Sequence, residues 1–547
     1  MDNKRLVVFI IFSLSVLLLW QKWQGEHNPP VAAQQARGQA VTPEVKLEEK
    51  SLPQSSGAKA VDLATDLQKG QTILVSTDVM QVGIDTIGGD LRRLDLLKYH
   101  DSKDPNKPYS FLHSEGGRIY VAQSGLIGSG LPTHKTLYAS QSNAYDLKPE
   151  ADTLQVRLVA PENAGFKVEK IYTFHRGSYI IDVSYEIGNS GTAPLHPYAY
   201  FQLLRDGDAP DGDTRFAKTY TGVAVYTDKS KFVKAEFPEI AKGKTNYPTN
   251  DDNGWIAMIQ HYFVSAWLPE GKVSREYYTR QLGENVYSAG VVLPVGNIES
   301  GKSAKIAVPL YVGPQEQNLL EKLAPGLDLV VDYGWLTIIA KPLFWVLSLF
   351  YKWVQNWGVA IILLTVSIKL IFFPLSAASY KSMAKMRAVG PKLQVLKEQY
   401  GDDKQRMNQA MMELYKTEKV NPLGGCLPIA VQIPVFIALY TVLLTTVELR
   451  NAPFMLWIQD LSLPDPYYVL PLIMGVTMLL QTRMNPTPPD PIQAKVMQIM
   501  PVAFSIFFFF FPAGLVLYWL VNNILSISQQ WYITRAIEKE TSAHAKR

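Results

Sequence analysis

The 547-residue chain has a single cysteine, Cys426, which lies in an apolar stretch. One thiol excludes an intrachain disulfide and a metal site built from several cysteines. The chain also lacks an excess of either charge, since 53 Lys and Arg residues stand against 49 Asp and Glu residues, a net charge of +4. This balance argues against nucleic-acid recognition, which favours a strongly basic surface.

Motifs of catalysis and metal binding are also missing. Six histidines fall within residues 61–325, but none belongs to a His-Glu-x-x-His motif, to zinc-finger spacing or to a Gly-x-Ser-x-Gly turn. The segment GLIGSG at 125–130 has the glycines of a phosphate-binding loop without its lysine, so we interpret it as a turn. We therefore expect no enzymatic activity, no metal and no cofactor.

The N-terminus has the pattern of a membrane anchor. Lys4 and Arg5 precede an apolar run at 6–20, and the residues directly after it offer no pair of small residues for signal cleavage. A cleaved signal peptide is the alternative, but we expect residues 1–24 to be a retained anchor that starts in the cytoplasm. Residues 25–60 have the polar, Pro-containing composition of a flexible linker.

Residues 61–325 have the patterning of a β-rich domain. Apolar and polar residues alternate in YIIDVSYEI (179–187), and Gly88-Gly89 stands between two such runs, as in a hairpin. KIAVPLYV (305–312) is a late strand of the same kind. Many short strands without helical patterns between them predict an extracytoplasmic β-sandwich.

The second half of the chain is apolar enough for a membrane domain. Residues 326–357 combine tryptophans and lysines with an expected break at Lys341-Pro342, which favours an amphipathic helix in the outer membrane interface. Five candidate membrane-spanning segments follow and, with the anchor, make six. They comprise residues 358–379, 427–447, 468–482, 496–511 and 513–533. The third and fourth have only about 15 or 16 residues, so we expect a locally thinned bilayer.

Basic residues predict the orientation of these segments. Nine Lys and Arg residues lie in 380–420 and others in the tail at 536–547, whereas the loop at 448–467 contains only Arg450. By the positive-inside rule both termini and residues 380–420 are cytoplasmic, and the β-rich domain is outside. The helical core then occupies residues 358–535.

Residues 380–420 have the pattern of a helical hairpin. Gly401-Asp402-Asp403 forms the turn, and either aspartate can cap the second helix. The second arm carries Met407 and Met411 on one face. This face is either the ordinary seam of a soluble hairpin or an adaptable surface for hydrophobic clients, and the pattern is compatible with both.

Lys369 is the one charge in the middle of an apolar segment, IILLTVSIKLIFF (361–373). A cation at that depth costs several kcal/mol, so it either snorkels to the interface or faces a hydrated cavity, and its position favours the cavity. The five core segments contain no Asp, Glu or His. Because ion-coupled transport and intramembrane proteolysis need such groups, we expect Lys369 to attract an acidic group from outside the chain.

Other polar residues extend this candidate site. Thr365 lies one helical turn from Lys369, and the last segment has a polar stripe at helical spacing. The stripe consists of Tyr518, Asn522, Ser526 and Gln529, and Gln432 and Ser505 come from two further segments. Ordinary hydrogen bonding between membrane helices is the alternative explanation of these residues.

The chain resembles the YidC/Oxa/Alb family of membrane protein insertases in an ordered series of motifs. They are VDYGW (331–335), SMAKMR (382–387), GDDKQR (401–406), KVNPLGGC (419–426), VELR (447–450), DPYY (465–468), MGVTM (474–478) and FPAGLVLYW (511–519). The resemblance covers nearly the whole chain. The anchor and the large extracytoplasmic domain are similar to the form found in the inner membrane of Gram-negative bacteria.

The resemblance implies a mechanism and a set of partners. A hydrophilic groove would be open to the cytoplasm and the lipid and would hold the cation, so that acidic or polar parts of a substrate enter while its hydrophobic part slides into lipid. Implied partners are nascent membrane proteins, the Sec translocon with its accessory subunits, the lipid bilayer and, weakly, the ribosome. No nucleotide or metal is implied, and the β-rich domain would be a mutarotase-like super-sandwich without implied activity.

Two residues depart from the family pattern. The groove cation is typically Arg, and Lys369 keeps the charge but loses the bidentate fork. The family often has a second Tyr after Tyr518, whereas Trp519 here offers an indole donor, so its contact with substrate is an expectation from position alone.

Two other classes of protein serve as alternatives. Inverted repeats and measured solute uptake in liposomes would support a small-solute transporter. Turnover by residues 61–325 alone would support a membrane-anchored carbohydrate-processing enzyme.

Overall fold

The computed structural model describes residues 67–545 apart from 102–103, 105, 164, 211–218, 401–402, 419–426 and 486–490. The predicted anchor at 1–24 and the linker at 25–60 lie outside the described residues. The described chain forms a β-domain, which we define as residues 72–314, and a helical part, which we define as residues 337–545.

Nineteen strands make up the described β-domain. They are β1 (Thr72–Ser76), β2 (Met80–Asp85), β3 (Asp90–His100), β4 (Pro108–Leu112), β5 (Tyr120–Ile127), β6 (Ala139–Ser140), β7 (Ala144–Asp146), β8 (Thr153–Val159), β9 (Phe166–His175), β10 (Ile180–Asn189), β11 (Tyr198–Asp206), β12 (Gly222–Thr227), β13 (Lys231–Ala235), β14 (Asn250–Asp251), β15 (Trp255–Gln260), β16 (Phe263–Trp267), β17 (Arg275–Gln281), β18 (Val286–Pro294) and β19 (Ser303–Pro314). Within the described residues they form two sheets that share one hydrophobic core.

The two sheets have ten and nine strands in the described chain. The first has the order β14-β17-β18-β11-β5-β3-β2-β1-β7 with β4 beside β3, and the second has the order β13-β12-β15-β16-β19-β10-β9-β8-β6. Ser124 on β5 and Tyr185 on β10 join the sheets by a hydrogen bond of 2.9 Å between their hydroxyl oxygens. The β-rich domain predicted from the sequence is therefore confirmed.

The alternation in the sequence is realised in individual strands. In β10 Ile181 and Val183 are fully buried, whereas Asp182 between them is partly exposed. Strands β2 and β3 pair antiparallel across Gly88 and Gly89, whose φ angles of 78° and 59° favour glycine. The predicted hairpin is thus confirmed.

Ten helices are described. Two short ones, α1 (Phe237–Ala241) and α2 (Gln317–Leu323), accompany the β-domain. The helical part consists of α3 (Thr337–Val354), α4 (Trp357–Ile371), α5 (Phe373–Tyr400), α6 (Lys404–Thr417), α7 (Leu427–Thr445), α8 (Val469–Met484), α9 (Pro491–Phe507) and α10 (Ala513–Ala545). Short 3-10 turns occupy Leu327–Val330, Gly334–Leu336, Val447–Leu449 and Phe508–Phe510. Helix α10 is central, since it packs against α4, α5, α7 and α8.

Two helices differ from the predicted bounds. The break expected at Lys341-Pro342 does not occur, because Pro342 lies in the second turn of α3, where only one carbonyl loses its donor. The predicted segment 358–379 is not one straight helix, since α4 and α5 meet at an angle of 65°. Pro374 in the first turn of α5 has no N–H to continue the hydrogen bonds of α4, which explains the bend.

Helices α5 and α6 form the predicted hairpin. Asp403 caps α6, since its Oδ1 accepts from the N–H groups of Gln405 and Arg406, each at 3.1 Å. The predicted cap is confirmed. Met407 and Met411 are half-buried, whereas Met412 is exposed. The hairpin therefore has both a packed seam and an exposed methionine.

Length and hydropathy single out a few described helices as candidates to cross a membrane. The segment 334–354 is by itself long and apolar enough to cross a membrane, and α4 and α5 together are long and apolar enough as a bent pair. The apolar segments 432–445, 469–484 and 495–510 are shorter. The predicted number of six membrane-spanning helices thus stays a prediction.

The outer faces of α8 and α9 are apolar, while α10 buries polar groups. Leu472 and Val476 on α8 are 55% and 57% exposed, and Ile499 on α9 is 57% exposed. By contrast, Asn523 and Gln530 on α10 are buried. A contiguous exposed apolar surface around a polar interior is typical of a protein that lies in lipid.

The connection between α7 and α8 holds the β-domain against the helical part. Arg450 lies over the rings of Tyr109 and Phe263, at 4.7 Å and 5.3 Å from their centroids, and donates to the carbonyl oxygen of His100 at 2.8 Å. These contacts combine a cation–π interaction with a charge-assisted hydrogen bond. They explain why the VELR motif ends in arginine.

Glu448 lies two residues before Arg450, and its carboxyl group is enclosed. The Oε2 atom has no hydrogen-bond partner among the described residues. Burial raises the pKa of Glu448 to about 8, and the nearby Glu316 adds to the rise. The carboxyl group is therefore protonated in the folded protein at neutral pH.

We predict that Glu448→Gln removes a pH dependence of stability. Because the folded-state pKa is raised above its ordinary value of 4.5, folding takes up a proton. The contribution of Glu448 to the free energy of unfolding is fully present below pH 4.5 and is lost as the pH rises through about 8. The free energy of unfolding should fall by at most ~1.4 kcal/mol per pH unit over this range. Thermal unfolding of the full chain in detergent, followed from acidic to alkaline pH, measures this difference.

The exposed Glu150 provides a matched control for this experiment. Glu150→Gln should follow the pH profile of the wild type, whereas Glu448→Gln should give a flatter one. Parallel profiles for the wild type and Glu448→Gln would contradict the assignment.

Candidate substrate site around Lys369

Lys369 lies in the last turn of α4, a helix that begins at a side-chain cap. The Oδ1 atom of Asn356 accepts from the N–H of Val359 at 3.0 Å and so fixes the start of α4. The Lys369 side chain is 5% exposed, and its Nζ donates to Ser526 Oγ on α10 at 2.8 Å. The ammonium therefore points into the helical part, which favours the enclosed site over the snorkelling alternative.

Ser526 is oriented to accept this hydrogen bond. Its hydroxyl donates to the carbonyl oxygen of Asn522 at 2.7 Å, so its lone pairs are left for Lys369. The Asn522 side chain in turn accepts from Gln432 Nε2 on α7 at 3.0 Å. We name Lys369, Ser526, Asn522 and Gln432 the polar chain, and it links α4, α10 and α7.

The polar chain contains no acid. Among the described residues Lys369 forms no ion pair, and its hydrogen-bond partner is the neutral Ser526 hydroxyl. A buried ammonium without a counter-ion keeps much of its desolvation cost, which is several kcal/mol. The site is therefore suited to receive an anionic or strongly polar group.

Further polar groups on α10 surround Ser526. Asn523 Nδ2, Gln529 Oε1 and Gln530 Oε1 are enclosed without partners among the described residues. Sequence reasoning did not select Asn523 or Gln530, although their spacing of three and four residues from Ser526 places them on the same face of α10. Buried groups of this kind are normally satisfied by water or by a bound polar group.

Two residues predicted for the site bond elsewhere. The Thr365 hydroxyl is buried one turn from Lys369 and donates to Ile361 O at 2.7 Å, so it lies beside the polar chain without joining it. Ser505 on α9 donates to Pro471 O on α8 at 2.9 Å. A Cβ atom on Gly475 would lie 2.7 Å from its Oγ, so Ser505 belongs to a close contact between α8 and α9.

Tyr518 and Trp519 meet Phe436, an aromatic residue that sequence reasoning missed. The Tyr518 ring stacks on Phe436 at 6.0 Å, and the Trp519 ring meets it edge-on at 4.5 Å. The Trp519 Nε1 atom is enclosed without an acceptor among the described residues. Phe436 lies one turn from Gln432 on α7, and that spacing is the signal that could have identified it. These rings form an aromatic wall beside the polar chain.

Comparisons with known proteins agree over the whole chain. Residues 72–346 match the family described as YidC periplasmic domain, and residues 349–540 match the 60Kd inner membrane protein family. A protein of Nitrosospira multiformis named membrane protein insertase YidC is 57% identical, with 100% of this chain and 99% of that protein covered. A protein of the same name from Methylobacillus flagellatus is 56% identical over 98% of both chains. A solved structure of an active YidC insertase is 20% identical, with a TM-score of 0.40, and covers 85% of this chain and 93% of that one.

The two matched families indicate a bacterial inner-membrane protein with a periplasmic domain, and the apolar outer faces of the helical part agree with a position in lipid. The chain belongs to the YidC family, since both of its parts match that family and its relatives are identical at more than half of the aligned positions. The resemblance seen in the motifs is confirmed.

We predict that Ser526→Ala destabilises the helical part. The substitution leaves the buried Lys369 ammonium without its partner, a loss of about 1–3 kcal/mol. Ser528→Ala is the matched control, because Ser528 is exposed and donates to Ile524 O of its own helix at 2.9 Å. Denaturant unfolding of both variants in the same detergent measures the difference, and equal stability would contradict the role given to Ser526.

Proposed function

We propose that this protein inserts nascent membrane proteins into the inner membrane through a polar site at Lys369, without a catalytic residue or a cofactor of its own. One observation carries the proposal: a buried ammonium is held by neutral groups within helices whose outer faces are apolar. The relatives compared above are named insertases, and the transporter alternative is not favoured.

Lys369 exchanges its partner when a substrate arrives. An acidic residue of the substrate accepts from the Lys369 ammonium in place of Ser526, because a charge-assisted hydrogen bond is roughly twice as strong as a neutral one. Asn523 and Gln530 then bond the polar groups that accompany this residue. Since Ser526 accepts the ammonium again once the acidic residue moves on, the binding is transient.

The hydrophobic part of the substrate leaves along the aromatic wall. Phe436 lies one helical turn from Gln432 of the polar chain, and its ring contacts Trp519. Ile433 on α7 is 49% exposed and Phe504 on α9 is 36% exposed, so both extend the apolar surface of the aromatic wall to the outside of the helical part. The substrate segment therefore passes to the lipid between α7 and α9, where apolar burial favours it.

Contacts between loops support the predicted orientation. The His261 ring of the β-domain lies 2.9 Å from Leu444 O at the end of α7, and the N–H of Ala513 at the start of α10 donates to Leu463 O at 2.7 Å. The end of α7 and the start of α10 therefore lie on the β-domain side. The hairpin and the end of α10 lie on the opposite side, which we assign to the cytoplasm because of its basic residues.

Helix α3 lies in the outer interface and does not cross the membrane. Its first half is held by an ion pair of 2.8 Å between Lys341 and Asp328, directly after the β-domain. At its other end the Asn356 side chain donates to Phe454 O at 2.9 Å, in the same connection that carries Arg450. Since Arg450 contacts the β-domain, both ends of α3 are on one side.

The remaining proposed partners rest on the family resemblance. They are the Sec translocon with its accessory subunits, and the ribosome through weak contact with the cytoplasmic tail. We also propose that the exposed Met412 of the hairpin contacts hydrophobic clients, since methionine adapts to varied apolar surfaces.

We predict that Lys369→Glu abolishes insertion of clients with acidic periplasmic tails. The substitution puts a carboxylate where the client carboxylate must bind, and repulsion replaces attraction. Lys369→Arg keeps the charge and should retain most of the activity. Protease protection of a radiolabelled client in proteoliposomes measures insertion.

The exposed Lys322 on α2 provides the charge-reversal control. Lys322→Glu should leave insertion unchanged, and a client with a neutral tail should depend less on Lys369. Normal insertion of the acidic-tailed client by a folded Lys369→Glu protein would exclude the electrostatic role.

We also predict where a client in transit contacts the chain. Photo-crosslinkers at Gln432 and Trp519 should trap an arrested client, because both positions border the proposed path. Thr365 should crosslink to a lesser extent, and Ser505 least, since it is enclosed between α8 and α9. The yields of crosslinked client on a gel measure this order, and strong crosslinking from Ser505 alone would contradict the path.

A further inference from the structure

A small cavity lies between α2, the turn Leu327–Val330 and α3, where the helical part begins. Its volume is about 280 Å³. Its polar lining includes Asn318, Glu321, Asp328, Lys341, Ser348 and Lys352, and Trp345 lies among them. We name it the α2–α3 cavity.

The cavity borders the apolar face of α3. Lys341, Trp345, Ser348 and Lys352 follow one another at spacings of four, three and four residues, so they share one side of the helix. The adjoining side is apolar and exposed, with Ile338 86% and Trp353 70% accessible. The cavity thus lies at the boundary between apolar and polar surface, where phospholipid headgroups lie.

Ser348 lines the cavity and has an unused hydroxyl group. Its Oγ is enclosed but has no hydrogen-bond partner among the described residues. Thr365 and Ser367 on α4, by contrast, donate to the carbonyl oxygen four residues earlier, at 2.7 Å and 2.9 Å. Ser348 departs from this local pattern and is free to bond a ligand.

The cavity carries charges of both signs. Lys341 and Asp328 neutralise each other at 2.8 Å. The ammonium of Lys352 and the carboxylate of Glu321 line the same cavity and form no ion pair among the described residues. A ligand with one negative and one positive group would match them, whereas a free phosphate would face the Glu321 carboxylate.

We propose that the α2–α3 cavity binds the headgroup of phosphatidylethanolamine, a phospholipid with a phosphodiester and a primary amine. Lys352 and Ser348 hold the phosphodiester, and Glu321 holds the ammonium group. The acyl chains follow the exposed apolar face beside Trp345. This inference rests on the proposed position of α3 in the membrane interface, and it gives the junction between the β-domain and the helical part a fixed lipid contact.

Lipid retention by the purified full-length chain tests the proposal. The protein is incubated in detergent with phosphatidylethanolamine or phosphatidylglycerol, and the retained lipid is counted by native mass spectrometry. The wild type should retain more phosphatidylethanolamine. Lys352→Gln and Ser348→Ala should each lower this retention, the first by about fivefold because one surface lysine contributes about that much to lipid binding. Glu321→Gln should abolish the preference between the two lipids.

Lys322→Gln is the matched control, since Lys322 is exposed on α2 and does not line the cavity. Equal retention of both lipids by the wild type, or unchanged retention by all three cavity variants, would overturn the proposal. Displacement of the lipid by millimolar inorganic phosphate would also overturn it and would assign the cavity to free phosphate.

The Lys369→Glu variant separates this inference from the proposed function. It should lose insertion of acidic-tailed clients and retain phosphatidylethanolamine normally. If the cavity variants lose the preference for phosphatidylethanolamine but still insert clients, the result supports the headgroup site. Normal insertion by Lys369→Glu would contradict the electrostatic role without touching the lipid result.

Discussion

The hydrogen bond between Lys369 and Ser526 is the contact on which the arrangement of the helical part depends. A buried ammonium is tolerated only where polar groups surround it, so α10 must present its polar side to α4. That orientation also places Asn522 against Gln432 and brings α7 to the same site. The apolar sides of α8 and α9 are then left on the outside, where lipid can cover them.

In the proposed mechanism, the absence of an acid near Lys369 in the described chain leaves the ammonium available to a substrate. A carboxylate of the chain itself would neutralise the ammonium and compete with every substrate, whereas a serine hydroxyl is easily exchanged. Without a carboxylate partner, the buried Lys369 ammonium destabilises the substrate-free protein, and the neighbouring hydrogen bonds offset this only in part. The proposed exchange needs charge more than a bidentate fork, so we expect Lys369 to serve at the position where the family resemblance implies an arginine.

The contacts of the β-domain give the helical part a defined outer side. Arg450 against Tyr109 and Phe263 fixes the α7–α8 connection to the β-domain, and Lys341 with Asp328 fixes the start of α3. The hairpin, which we assign to the cytoplasm, lies at the other end of the core helices. A β-domain held against one end of the helical part is compatible with the proposed orientation, in which substrates reach Lys369 from the cytoplasm.

Much of this protein follows from its sequence. The period-two alternation determined the strands of the β-domain, as in β10, because strand geometry places successive side chains on opposite faces. Hydropathy determined which segments are apolar, Asp403 determined the start of α6, and the motifs determined the family. The isolated charge at Lys369 was visible because a lysine among apolar residues needs no structure to be noticed.

Only the tertiary structure decided which polar groups meet. Lys369 and Ser526 are 157 residues apart, and helical spacing gives the face of each helix without saying which neighbour that face contacts. For that reason Thr365 and Ser505 looked equal to Asn522 in the sequence, yet the Thr365 hydroxyl bonds within its own helix and the Ser505 hydroxyl bonds Pro471 O on α8. The role of Arg450 was hidden in the same way, because the rings beneath it come from strands more than 180 residues earlier.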